Sequence, residues 1–177
     1  MIVVTSKVKS FLDSVARNSR SSKATYSCVI NHFQNFLNQD QQYRGCNCET
    51  ILKIILENKI SVYELLDRFV SFLVATKPDL THQSIRLYVV VIRSYFAYYD
   101  IDVIPAKFKR RVKTPKFYRQ DEEPLDASDV RKILLACNNR RLKTYILTLA
   151  SGGMRATEGL ATRLSDIDFS VVLLRFI

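Results

Sequence analysis

Glycine, proline and tryptophan are scarce in this chain of 177 residues, which contains four glycines, four prolines and no tryptophan. So few turn-forming residues disfavour an all-β fold, in which turns recur at short intervals, and favour long helices. An apolar content of 47% supplies enough side chains for a hydrophobic core and argues against wholesale disorder. We therefore predict a mainly α protein.

Long apolar runs and metal-ligand patterns are also missing. No stretch of about 18 apolar residues occurs, so we expect no membrane-spanning helix. The apolar start, Met-Ile-Val-Val, is too short for a signal peptide, which predicts a cytoplasmic protein with reduced cysteines. Cys46 and Cys48 have no second pair at zinc-ligand spacing, so neither a metal site nor a cofactor is predicted.

Positive charge is unevenly distributed along the chain. The net charge is +10, yet residues 103–120 hold seven of the 27 lysines and arginines and no acidic residue. The other 20 basic and 17 acidic residues leave a balance of only +3. Concentrated positive charge attracts a polyanion better than the same charge spread evenly, so we predict a nucleic-acid partner. The seven residues are Lys107, Lys109, Arg110, Arg111, Lys113, Lys116 and Arg119.

The spacing of apolar residues divides the chain into two helical regions. Apolar stripes at helical spacing predict helices over 6–17, 22–39 and 81–99, and another that begins after Ser61. Three prolines accompany the basic segment, which is typical of a linker. The predicted organisation is a helical domain over 1–101, a basic linker over 102–124 and a second, helix-first domain over 125–177, ending in a strand over Phe169–Ile177.

Several residues mark the predicted helix ends. Ser61 and Glu64 have the spacing of a capping box, in which each side chain binds a backbone N–H of the other residue. Asp126 is placed to cap the first helix of the second region. Gly152 or Gly153 can adopt the left-handed conformation that ends a helix.

The most specific pattern in the chain runs from Ser151 to Asp168 and reads SGGMRATEGLATRLSDID. A Gly-Gly pair ends one apolar helix, Arg155 and Glu158 open the next, and Asp-Ile-Asp leads toward a strand. This pattern resembles the first catalytic block of the tyrosine recombinases (phage-type integrases), around the first of their two active-site arginines. Three further features carry the resemblance: Thr25-Tyr26, the aromatic segment 93–99, and Pro124-Leu125 before the second region.

The resemblance implies the fold of that family: a helical-bundle, SAM-like core-binding domain followed by an incomplete α+β catalytic domain. It also implies that Arg155 is the first phosphate-gripping arginine and that Glu158 is the acidic residue that orders it. Arginine suits this role because its planar guanidinium stays charged and binds two phosphate oxygens at once. Gly159 departs from the bulkier apolar residue usual in the family, so we expect looser packing of the Arg155 helix.

The resemblance also implies what this chain can do. In the family a tyrosine hydroxyl attacks a DNA phosphodiester, and the lysine, second arginine, histidine and tyrosine of the site all lie downstream of this block. Only nine residues follow Asp168. We therefore expect a double-stranded DNA-binding fragment of an integrase, related to DNA integration and site-specific recombination, that is not an enzyme on its own.

Other interpretations remain open. The chain is also consistent with the N-terminal half of a split integrase, active with a separate C-terminal fragment, or with a non-catalytic interaction protein that self-associates through its final strand. The basic segment fits a solvated linker or an RNA-binding tract as well as a DNA contact. Lys23, Arg86 and Arg93 are candidate DNA contacts, but each also fits an ordinary exposed helix face. For Arg155 the alternative to a phosphate ligand, which the surrounding motif favours, is a structural salt bridge.

Overall fold

A computed structural model of the chain describes residues 6–115 and 123–167. The chain divides into two compact units, residues 1–119 and residues 120–177. The described residues form helices joined by turns and contain no strand, which confirms the prediction of a mainly α fold. The predicted strand over 169–177 lies outside the described residues.

Six helices build the described part of the first unit, and those predicted from apolar stripes lie within a few residues of their predicted ends. Ser19 caps the second helix by accepting a hydrogen bond from the backbone N–H of Ser22, and Thr81 caps the fifth in the same way through Ser84. The helices are α1 (Ser6–Asn18), α2 (Arg20–Gln39), α3 (Cys48–Leu56), α4 (Val62–Thr76), α5 (His82–Ala97) and α6 (Pro105–Arg111).

The hydrophobic core of the first unit is rich in aromatic side chains. Phe33 on α2 packs edge-on against Phe69 on α4, with ring centres 5.2 Å apart, and also contacts Phe96 on α5. All three rings are fully buried. Edge-to-face pairs of this kind add about 0.5–1.5 kcal/mol to the stabilisation from burial alone. The apolar stripes of α2, α4 and α5 therefore meet in one core.

The capping box predicted for Ser61 and Glu64 is wrong. Ser61 is the N-cap of α4, but its side chain accepts no hydrogen bond from the helix. Burial of Val62 and Leu65 fixes the start of α4 instead. A full capping box occurs at α3, where Asn47 accepts hydrogen bonds from the backbone N–H groups of Glu49 and Thr50.

The segment predicted as a linker, 102–124, contains the helix α6, and the packing of the first unit continues past residue 101. Pro105 is the first residue of α6, a position where its missing N–H is not needed. Phe108 and Val112 follow one turn apart and pack against the core, and Val112 is only 4% exposed. The prolines and cations of this segment predicted a linker, so the sequence analysis did not identify this apolar pair as part of the core.

The described part of the second unit consists of three helices and a single 3-10 turn: α7 (Ala127–Ala136), α8 (Arg140–Gly152), α9 (Ala156–Ala161) and the turn Leu164–Asp166. Asp126 caps α7 by accepting a hydrogen bond from the backbone N–H of Asp129 at 2.8 Å. Gly153 ends α8 with φ 62°, a left-handed conformation that only glycine adopts without strain. Both predicted helix ends are confirmed. No side chain of α7, α8 or α9 is buried.

Candidate nucleic-acid interface and the Arg155–Glu158 pair

The helix α6 presents its positive charges to solvent. Phe108 and Val112, the residue that caps the end of the helix, both point inward because they are about one helical turn apart. The side chains in the other directions are cationic and exposed, as is the lysine that follows the helix. These exposed residues are Lys107, Lys109, Arg110, Arg111 and Lys113.

Both ends of α6 are attached to α4. Before the helix, the backbone N–H of Ile104 donates a hydrogen bond to the hydroxyl of Tyr63 at 3.2 Å. After the helix, the backbone N–H of Lys113 donates to Oδ1 of Asp67 at 3.0 Å. The guanidinium of Arg111 lies over the Tyr63 ring, 5.7 Å from its centre. The basic segment therefore has a defined position on the first unit.

Arg93, on α5, contacts the middle of α6. Its guanidinium lies over the ring of Phe108, with the guanidinium carbon 4.6 Å from the ring centre. Its Nε is buried and forms no hydrogen bond with any described residue. Arg86, two turns earlier on α5, is exposed. The two arginines thus have different surroundings, although the sequence analysis assigned both of them the same candidate role as DNA contacts.

Lys23 has an acidic partner, whereas the described cations of the basic segment do not. Lys23 forms an ion pair with Asp13, at 2.8 Å between Nζ and Oδ1, and this hydrogen bond lowers the pKa of Asp13. None of the five exposed cations between 107 and 113 forms an ion pair with a carboxylate in the part of the chain that the structure describes. Lys116 and Arg119 lie outside that part.

The structure brings Arg155 and Glu158 together at the start of α9. The Glu158 carboxylate accepts hydrogen bonds from the backbone N–H of Arg155 at 2.8 Å and from its guanidinium at 3.1 Å. An arginine has no acceptor, so only the glutamate half of a capping box can form here. The Arg155 side chain is 84% exposed, so its remaining N–H groups are available to an anion.

Gly159 lets α9 approach α8 closely. A Cβ atom at Gly159 would lie 2.6 Å from Cδ2 of Leu149 and 3.2 Å from the ring of Tyr145. The Tyr145 hydroxyl also donates to the carbonyl of Ala156 at 2.9 Å. A side chain at this position would therefore have to displace the end of Leu149, and the expectation that Gly159 loosens the packing stays a prediction.

The same described ranges also bear on membrane and metal sites. None of the helices there combines the length and the apolar character that crossing a bilayer requires. No three histidine, cysteine, aspartate or glutamate side chains there are grouped as metal ligands.

Sequence reasoning missed the residues that hold α6, namely Phe108, Tyr63 and Asp67. A local signal existed for the first of them: Pro105 at a helix start, followed by the apolar pair Phe108 and Val112 at i, i+4 spacing. No comparable signal exists for Tyr63 or Asp67, because each meets α6 across more than 40 residues of sequence.

Comparison with known proteins gives one distant relative. The chain is 25% identical over 160 residues to the tyrosine recombinase XerA of Saccharolobus solfataricus, which covers 85% of this chain and 47% of the relative. The chain thus spans about half the length of that protein. No family model matches the chain, and no solved structure matches it. The similarity suggests the tyrosine recombinase family and makes this chain a distant relative of a recombinase.

Proposed function

We propose that this chain binds duplex DNA as the core-binding part of a tyrosine recombinase. The single observation that carries the proposal is the basic surface of α6, with four exposed cations on a helix attached to the core and a fifth, Lys113, directly after it. Such a surface fits the phosphate backbone of a duplex, where contacts position a protein without reading sequence. The distant similarity to a tyrosine recombinase supports DNA as the polyanion, in the context of DNA integration and site-specific recombination.

Arg155 and Glu158 are proposed as a phosphate-binding pair in the second unit. The Glu158 carboxylate accepts a hydrogen bond from one edge of the guanidinium, at 3.1 Å, and the exposed remainder of the fork can bind two phosphate oxygens. In a phosphoryl-transfer site such an arginine stabilises the charge that builds up on the non-bridging oxygens.

We further propose that these 177 residues do not break a DNA strand unaided. The family's chemistry requires a tyrosine nucleophile downstream of the first arginine, and all nine tyrosines of this sequence precede Arg155. The hydroxyls of Tyr95 and Tyr99 are engaged with the backbone carbonyls of Cys48 and Lys7, and burial raises the pKa of both side chains. Neither hydroxyl is available as a nucleophile.

A titration of the chain with a fluorescent duplex over a range of salt concentrations tests DNA binding. Each lysine or arginine that neutralises a phosphate adds about 0.9 to the slope of log K against log salt, so five contacts predict a slope of about −4 to −5. Absence of binding in dilute buffer would rule out the proposal. A suicide substrate, which traps covalent protein–DNA products, tests the second part, and trapped product from this chain alone would contradict it.

A second candidate function is that of one half of a two-part enzyme. The specific observation that favours it is the exposure of large apolar side chains in the second unit, where Leu125, Leu135 and Leu160 are 69%, 71% and 75% exposed. Surfaces of this kind often mark a partner site. Mixing this chain with a C-terminal recombinase fragment should then yield trapped covalent DNA that neither piece gives alone. No complex and no cleavage would remove this candidate.

A further inference from the structure

We propose that Phe108 is a positioning residue for DNA binding, which acts by holding α6 on the first unit so that its cations meet the phosphates already in place. The inference rests on the proposed DNA-binding function and names a residue that itself offers no group to a phosphate. Phe108 works together with three other side chains, Tyr63, Asp67 and Arg93, and we call these four residues the α6 anchor.

The first argument is that α6 is too short and too highly charged to be stable alone. Helices shorter than about 12 residues are marginal in water, and α6 has seven. Its cations also repel one another, because Lys107 and Arg111 lie four residues apart, as do Lys109 and Lys113. The helix therefore depends on contacts with the rest of the first unit.

The second argument is that the α6 anchor supplies those contacts. Phe108 packs against the core on one side, and the Arg93 guanidinium covers its ring at 4.6 Å. A cation over an aromatic ring in a partly buried site is stabilising, and here it also shields the ring from solvent. Tyr63 and Asp67 hold the backbone N–H groups of Ile104 and Lys113, one on each side of the helix.

The third argument concerns the direction of the charges. With about 100° between successive residues, inward placement of Phe108 and Val112 leaves the remaining directions to the cations. Opposite the buried face lies Arg110, flanked by Lys107 and Arg111 on one side and Lys109 on the other. If the Phe108 contact is lost, these charges remain on the chain but no longer share a fixed arrangement.

These steps predict a distinctive effect of losing the contact. A disordered basic segment must be ordered on DNA at the expense of conformational entropy, which weakens binding. The number of phosphates that can be neutralised does not change, so the salt slope stays the same. Removal of charges has a different effect, because it flattens the slope of log K against log salt.

The experiment compares Phe108→Ala in the whole chain with the unmodified chain and with Val74→Ala, which truncates an exposed apolar residue of α4, two turns beyond Asp67. Duplex binding is measured at several salt concentrations, and hydrogen exchange of backbone amides is followed by mass spectrometry or NMR. We expect Phe108→Ala to weaken binding about tenfold or more at every salt concentration. The plot of log K against log salt for this variant should run parallel to that of the unmodified chain. The amides of Val112 and Lys113 should exchange faster, while that of Phe33 in α2 stays protected.

The outcomes separate this inference from the function on which it rests. No DNA binding by the unmodified chain would refute the proposed function. Binding by the unmodified chain, together with equal affinity or a flatter slope in Phe108→Ala, would refute only the role of Phe108. If Phe108→Ala lowers protection in α2 as well, Tyr63→Phe replaces it, since this variant removes the acceptor for Ile104 N–H and keeps the ring. Weaker binding with parallel plots then supports the α6 anchor, and unchanged affinity with faster exchange at Ile104 overturns it.

Discussion

Arg68 on α4 binds the carboxylate of Asp40, the residue that caps the C-terminal end of α2, through two nitrogens of its guanidinium. Its Nε donates to Oδ2 at 3.2 Å, and its Nη2 lies 3.0 Å from both carboxylate oxygens. The same guanidinium lies over the ring of Tyr43, 5.6 Å from its centre. One arginine thus links the end of α2, the loop after it and α4.

Arg68→Lys tests whether the shape of the guanidinium matters at this position. Lysine keeps the charge but has neither the planar fork nor the same stacking on Tyr43. We expect the free energy of unfolding to fall by about 0.5–1 kcal/mol, a small value because the Arg68 side chain is 41% exposed. Guanidinium chloride unfolding followed by far-UV circular dichroism measures the change, and an unaltered midpoint would contradict the expectation.

Two buried tyrosine hydroxyls should respond in opposite ways to removal. The Tyr43 hydroxyl is buried and forms no hydrogen bond with the described residues, whereas that of Tyr95 donates to the carbonyl of Cys48 at 2.8 Å. Tyr95→Phe should lower the free energy of unfolding by about 1 kcal/mol. Tyr43→Phe should leave it unchanged or raise it by up to about 1 kcal/mol. Equal losses in the two variants, in the same unfolding assay, would be inconsistent with these contacts.

The two N-caps at Asn47 and Ser61 give a matched pair of variants. Asn47→Ala removes the hydrogen bonds to the N–H groups of Glu49 and Thr50 and should lower the free energy of unfolding by about 1 kcal/mol. Ser61→Ala removes a side chain that makes no cap hydrogen bond, so little change is expected. The difference between the thermal midpoints of the two variants is the measurement, and a larger loss for Ser61→Ala would reverse the assignment.

Alkaline conditions should destabilise the first unit. Burial raises the pKa of the Cys48 thiol from 9.0 to about 12. Burial, and to a smaller extent the nearby Glu64 carboxylate, raises the pKa of the Tyr43 hydroxyl from 10.0 to about 12. Both groups keep their protons longer in the folded chain, so their contribution is fully present below about pH 9 and is lost as pH rises toward 12. Unfolding curves collected between about pH 8 and 11 should show falling stability. Tyr43→Phe should reduce the fall, and an identical pH dependence in that variant would count against the assignment.

The contribution of charge to DNA binding can be separated from that of position. Replacing Lys109, Arg110 and Arg111 together by glutamine should weaken binding to every duplex and flatten the salt slope by about three. The charge-matched control replaces three exposed lysines elsewhere on the first unit and should leave the slope almost unchanged. An equal loss of slope in both variants would show general electrostatic attraction without a defined contact surface. The control lysines are Lys53, Lys59 and Lys77.

The part of this fold that could be read from sequence is the part that local physics determines. The helices α2 and α5 follow from apolar stripes, and the end of α8 follows from the left-handed Gly153, because each signal lies within a few residues of its effect. The prediction of a capping box at Ser61 is wrong because the start of α4 depends on contacts with the rest of the first unit and not on a local signal. Burial of Val62 and Leu65 fixes where α4 begins, so the chain does not need the side-chain hydrogen bond that the motif offers.

The candidate sites divide in the same way. Contact between Arg155 and Glu158 could be predicted, since residues three apart at a helix start lie side by side. The concentration of cations between 107 and 113 was equally visible in the sequence. What could not be predicted is that they lie on a docked helix, because Tyr63 and Asp67 reach this segment only after the chain has folded back on itself.

The hydroxyl of Tyr99 donates to the carbonyl of Lys7 at 2.6 Å, joining residues 92 positions apart. During synthesis α1 leaves the ribosome long before its partner, so this tie must wait until the whole of α5 has emerged. The Tyr99 contact therefore completes a packing that can begin earlier, because α1 also packs on α2, where the ring centres of Phe11 and Tyr26 lie 5.8 Å apart.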